Sequence, residues 1–171
     1  MATAHQEISG QSTQIVFQSF ADRILVLVTQ VGKVGNLVSS VLFSILLTLR
    51  PAPAQVQATL PATTPSSLNP EGEEPESLPQ PSPGIQLTPL LGSSPSEHHQ
   101  TLQSLYACQI ATIVWQSPTH GGGLDGSRRP VVVGLALKKV SDAGVGCELS
   151  EGERETFRGI MQMLQGMLQG E

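Results

Sequence analysis

Residues 13–39 read TQIVFQSFADRILVLVTQVGKVGNLVS. In Thr13–Phe20, Ile15 and Phe17 alternate with Val16 and Gln18, the period of a half-buried strand. Ala21-Asp22 leaves room only for a short turn. Arg23–Gln30, RILVLVTQ, then runs almost unbroken through leucine and β-branched residues, which suits a central strand. Two strands joined so tightly run antiparallel. Gly32-Lys33-Val34-Gly35-Asn36 makes a second glycine-bearing turn, and a third strand starts at Leu37.

Beyond this stretch the pattern changes. Ile85–Leu91 is a short strand candidate, weakened by Pro89. Ser94-Pro95-Ser96-Glu97 has the form of a capping box, with Ser94 as N-cap, proline at N1 and glutamate at N3. The helix it opens runs to about Gln116, with Leu102, Leu105, Tyr106, Ile110, Ile113 and Val114 at helical spacing. Its second half is apolar almost all round, as in a buried helix. Val131–Leu137, VVVGLAL, is a buried strand. Ser150 and Glu153 form a second capping box, and Glu151, Glu153 and Glu155 complement the helix's positive end. On that helix Phe157, Ile160, Met161, Leu164, Met167 and Leu168 form one stripe, while Gly159 and Gly166 weaken it by roughly 1 kcal/mol each. The order β-β-β, loop, β-α-β-α predicts an α+β fold: an antiparallel β-sheet with two helices packed on one face.

Composition bounds the rest. The 171 residues suit a single domain spanning 1–171. Residues 51–83 hold nine of the 13 prolines and no aromatic residue, and their only charges are Glu71, Glu73, Glu74 and Glu76. Such a stretch buries too little apolar surface to offset its ordering entropy, so it reads as a long disordered insertion. The net charge of −5, from 9 basic and 14 acidic residues, gives no basic excess for nucleic acid. Cys108 and Cys147 cannot form a disulfide framework, and the polar start MATAHQEISGQSTQ is unlike a secretory signal; together they predict a reduced, intracellular protein.

Candidate chemistry reduces to ordinary structure. Gly32-Lys33 is followed by Val34, so the phosphate-loop pattern is absent and a hairpin turn is the simpler reading. Gly121-Gly122-Gly123 and Gly126 precede Arg128-Arg129, but this loop enters a strand, whereas phosphate cradles leave one. His98 and His99 are neighbours on a helix and diverge by about 100°, so they cannot share a metal. His5 and His120 sit in expected loops, and Cys108 reads as a small core residue. Met161, Met163 and Met167 suit either an adaptable binding face or core packing. No catalytic constellation emerges, so no enzymatic activity, cofactor or metal is expected.

One segment competes with this reading. Val34–Leu49, VGNLVSSVLFSILLTL, is uncharged between Lys33 and Arg50. It falls short of the ~20 residues a spanning helix needs, yet it leaves a membrane-anchored adaptor as the rival class.

The run ILVLVTQ, one residue, Gly32-Lys33, one residue, Gly35, one residue, Leu37-Val38-Ser39 resembles the proteasome assembly chaperone 3 family. The likeness is strong in 13–39 and weaker through the later strand and helix order. It departs at 40–83, where the family has a much shorter connection. Val41–Gln55, VLFSILLTLRPAPAQ, is the core of that departure. Either Leu37–Leu49 is an unusually long strand or an apolar helix on the dimer surface, or the fifteen residues are a translated intron whose removal would join Ser40 to Val56. The resemblance implies a non-enzymatic chaperone, located in the cytoplasm and also the nucleus. It would dimerise with the related fourth proteasome assembly chaperone, or with itself. The dimer would bind alpha-type subunits of the 20S proteasome as the alpha ring assembles. Within the motif, Gly32, Lys33, Gly35, Leu37 and Val38 read as structural, the glycines for the turn and the aliphatics for the sheet.

Overall fold

A computed structural model describes residues 1–30, 32, 35–42, 78–81, 83–92, 96–117, 128–138 and 149–170. Six strands and two helices follow the order β1 (Ala2–Ile8), β2 (Gln11–Ser19), β3 (Ile24–Thr29), β4 (Asn36–Leu42), β5 (Ile85–Leu91), α1 (Glu97–Gln116), β6 (Val131–Ala136) and α2 (Glu151–Gln169). The strands form one sheet in the order β1-β2-β3-β6-β4-β5. The fold is α+β, as the element pattern predicts.

Two features correct the expectation. The N-terminal residues form an additional strand, β1, paired antiparallel with β2 from Ala2↔Phe17 to Ile8↔Gln11. Ser9 and Gly10, both at positive φ, make the tight turn between them. The sheet is also not wholly antiparallel, because β3 and β6 run parallel, from Ile24↔Val131 to Thr29↔Ala136. The physical reason is the crossover: α1 carries the chain back from the end of β5, so β6 enters in β5's direction and inserts between β3 and β4.

Both helices cover one face. On it Ile15 and Phe17 of β2, Ile24, Val26 and Val28 of β3 and Val131 and Val133 of β6 are at most 2% exposed. They pack with Ile110 and Val114 of α1 and Ile160, Met161 and Leu164 of α2. The buried Ser40 hydroxyl donates to the Ala107 carbonyl at 3.4 Å, so α1 is tied to β4 without an unpaired polar group. The Trp115 indole donates to the Arg129 carbonyl at 2.9 Å, and Arg129 in turn donates to Ser19 Oγ and the Phe20 carbonyl.

The helix starts are set by their caps. In α1 the N-cap is Ser96, not Ser94: its hydroxyl accepts from the His99 amide, which places Glu97 in the first turn. Ser94 and Pro95 lie outside the described residues. In α2 the expected capping box is present, with Ser150 and Glu153 each satisfying the other's backbone N–H. Gly159 sits where α2 crosses β1, and a Cβ there would lie 2.8 Å from Ile8 Cγ2. Met161 and Met163 are buried, so these methionines serve the core rather than an exposed face.

Of the run proposed as a membrane anchor, Asn36–Leu42 is strand β4, paired on both sides with β5 and β6. Val34 and residues 43–49 lie outside the described residues. Among the described residues no helix is long and apolar enough to cross a membrane. Of the expected insertion, 51–77 and Ser82 lie outside the described residues. Leu78 packs against the core, and the Gln109 amide donates to the Pro79 carbonyl at 2.8 Å.

Candidate protein-binding face

The side of the sheet away from the helices is the candidate binding surface among the described residues. Side chains alternate along a strand, so the residues between the core positions share the other face. On β3 these are Leu25 and Leu27, on β6 Val132 and Gly134, on β4 Leu37 and on β2 Val16. Leu25, Leu27, Leu37 and Val16 are half-buried, although no described element of the chain covers them. A Cβ on Gly134 would lie 2.5 Å from Leu27 Cδ2 and 2.9 Å from Leu37 Cδ2. The two leucines therefore close over the glycine and make a shallow aliphatic surface at the sheet's centre. Polar residues flank it towards the β1 edge: Gln14 and His5, the latter hydrogen-bonded to Ser12 at 2.7 Å. An aliphatic centre flanked on one side by polar residues is an apolar patch of the kind that marks interaction surfaces.

The motif residues separate into two roles. Gly32 adopts φ +66°, a turn conformation that a side chain rarely takes. Gly35 passes so close to β6 that a Cβ would overlap the Leu135 carbonyl. Val38 is 8% exposed on the helix side. Leu37 lies in β4 opposite Gly134, on the face away from the helices. Lys33 lies outside the described residues. The alternation did not place Leu25, Leu27 and Leu37 on the face away from the helices, because a run apolar at every position looks buried on both faces. The run itself was the signal, since the two described helices cover only one of its sides.

The titratable groups are structural too. His98 of α1 donates to Glu153 of α2 at 2.8 Å, while the other Glu153 oxygen accepts the Ser150 amide. Burial opposes ionisation of this carboxyl, but the hydrogen bonds from His98 and Ser150 outweigh it and hold its pKa below the usual value. Burial pushes the half-buried Cys108 thiol up, away from the thiolate a nucleophile needs. Among the described residues no three His, Cys, Asp or Glu side chains come together as a metal site. His120 and Cys147, with the glycines at 121–123 and 126, lie outside them.

In comparison with known proteins, the chain matches no family model and no curated sequence.

Proposed function

We propose that this chain is a non-enzymatic assembly chaperone that works as a dimer. It binds alpha-type subunits and promotes assembly of the 20S proteasome alpha ring. Its dimer partner is the related fourth proteasome assembly chaperone or a second copy of itself, and its place is the cytoplasm and nucleus. The observation that carries the reading is the aliphatic sheet face centred on Leu27, Gly134 and Leu37. A surface of this kind, left uncovered by the chain's own helices, gains by packing against a second sheet. The motif ILVLVTQ-x-GK-x-G-x-LVS supplies the identity of the partner class, through its resemblance to the proteasome assembly chaperone 3 family.

Affinity capture of the tagged full chain from a cell extract tests this. Alpha-type subunits and a second small chaperone should be recovered, with few mature 20S particles. Recovery of membrane proteins alone, or of no alpha-type subunit, would overturn it.

A further inference from the structure

The sheet ends in two edge strands, and they are built differently. β5 carries Pro89, and its register skips Leu90 between the Leu37↔Leu91 and Val38↔Pro89 pairs. A proline and a bulge both keep an edge from pairing further. β1, at the other end, has neither, and it has no lysine or arginine. Thr3, His5, Gln6 and Glu7 are exposed, and among the described residues β1 pairs with β2 alone.

The ladder fixes which main-chain groups of β1 face outward. At the turn after β2, the Phe20 N–H donates to the Arg23 carbonyl at 2.9 Å. Bonding pairs recur at every second residue of an antiparallel ladder, so Gln18, Val16 and Gln14 turn their main-chain groups to β3. Phe17, Ile15, Thr13 and Gln11 turn theirs the other way, to Ala2, Ala4, Gln6 and Ile8. The two-residue Ser9-Gly10 turn closes on that same Ile8–Gln11 pair. Thr3, His5 and Glu7 therefore point their N–H and C=O groups off the edge of the sheet.

This edge is complementary to itself. A two-fold axis normal to the sheet at His5 sets His5 opposite its own counterpart and Thr3, a hydroxyl donor, opposite Glu7 of the second copy, an acceptor. Every outward N–H and C=O of the three residues then gains a partner, and any other centre shortens the overlap. On the helix side Ala2, packed against the core, meets Ile8 of the second copy. Two helices about 10 Å across are narrower than six strands about 4.8 Å apart, which leaves room for the helices of both copies above the joined sheet.

We propose that β1 pairs antiparallel with β1 of a second copy, joining two six-stranded sheets edge to edge. The axis puts both uncovered faces on the same side, so paired copies present two aliphatic surfaces to one partner assembly. The pairing is independent of the function proposed above, because it uses the edge of the sheet and not its face. One strand against one strand is a small contact, so it forms at millimolar rather than at chromatographic concentration.

Amide hydrogen exchange of the isotope-labelled full chain, read by NMR at micromolar and at millimolar concentration, tests it. A contact through the sheet face hides side chains and leaves the outward amides of β1 as they are, so the two contacts are read separately. The amides of Thr3, His5 and Glu7 should exchange at least about threefold more slowly at the higher concentration. His5→Pro removes an outward amide and no bond to β2, so it should abolish the slowing at Thr3 and Glu7 while Ala4 and Gln6 stay protected. His5→Lys sets like charges opposite each other with the backbone unaltered; it should also abolish the slowing, and it decides the matter if the proline frays β1. Outward amides that exchange alike at both concentrations, that are already slow when dilute, or that keep their slowing in His5→Lys would each overturn the proposal.

Discussion

Leu27 and Leu37 converge above Gly134 from strands that do not pair, since β6 lies between β3 and β4. Their meeting point is the centre of the uncovered face, so a charge there tests the interface while sparing the core. Leu27→Glu should convert a dimer to a monomer in light scattering after size-exclusion chromatography. Its far-ultraviolet circular dichroism should match that of the parent. A Leu27→Glu chain that remains dimeric would place the contact elsewhere.

The two faces of β3 should respond differently to truncation. Ile24 is fully buried under the helices, and Ile24→Ala should destabilise by about 2–5 kcal/mol. Leu27 is half-buried on the other side, and in the monomer Leu27→Ala should cost only about 1 kcal/mol. Urea unfolding of both variants in a Leu37→Glu background, where the same charge on the sheet face should likewise keep the chain monomeric, measures the contrast, which equal losses would contradict.

The two glycines of α2 should behave oppositely. Alanine normally improves a helix interior by about 1 kcal/mol over glycine. At Gly166 nothing lies within 4 Å of an added Cβ, so Gly166→Ala should raise the melting temperature. At Gly159 the Cβ would press on Ile8 Cγ2, a short branched group with little freedom, so Gly159→Ala should destabilise by about 1–3 kcal/mol. Thermal unfolding gives both signs directly.

Glu153 links the first turns of both helices, and its ionisation should show in acid. The folded-state pKa lies below the ordinary one, so the unfolded chain takes up the proton more readily. The stabilisation is therefore complete above the unfolded-state pKa and is lost as pH falls through the folded value, from about pH 5 downwards. Glu153→Gln should flatten this part of the stability profile, as read by urea unfolding between about pH 5 and pH 3. An unchanged slope would remove Glu153 from the acid response.

Much of the fold was legible locally. The alternation at Ile15 and Phe17, the RILVLVTQ run and the Ser150–Glu153 box each depend on neighbours in sequence, and each lies where the pattern puts it. β1 was not legible, because its apolar alternation is weak: Ala2, Ala4 and Ile8 share a face, but Gln6 interrupts them and the alanines are small. Backbone pairing to β2 makes it a strand, together with Ile8 under α2. The Ser9-Gly10 turn was its one local sign. The cap of α1 lies at Ser96, whose extended backbone aims its hydroxyl at the His99 amide, while the sequence offered Ser94 as an equally plausible cap two residues earlier.

The candidate site shows the same division more sharply. By itself the sequence determined that β3 and β6 are apolar at nearly every position, and that glycine stands at 35 and 134. It also determined that no cluster of reactive residues lies along the chain, since each of these depends only on which residues follow one another. Only the tertiary structure decided which apolar residues are core and which are surface. Strand order and the placement of both helices on one side are long-range choices, made by crossover geometry and burial over the whole sheet. Those choices leave Ile24, Val26 and Val28 under the helices and turn Leu25, Leu27 and Leu37 outward, although the side chains are chemically alike.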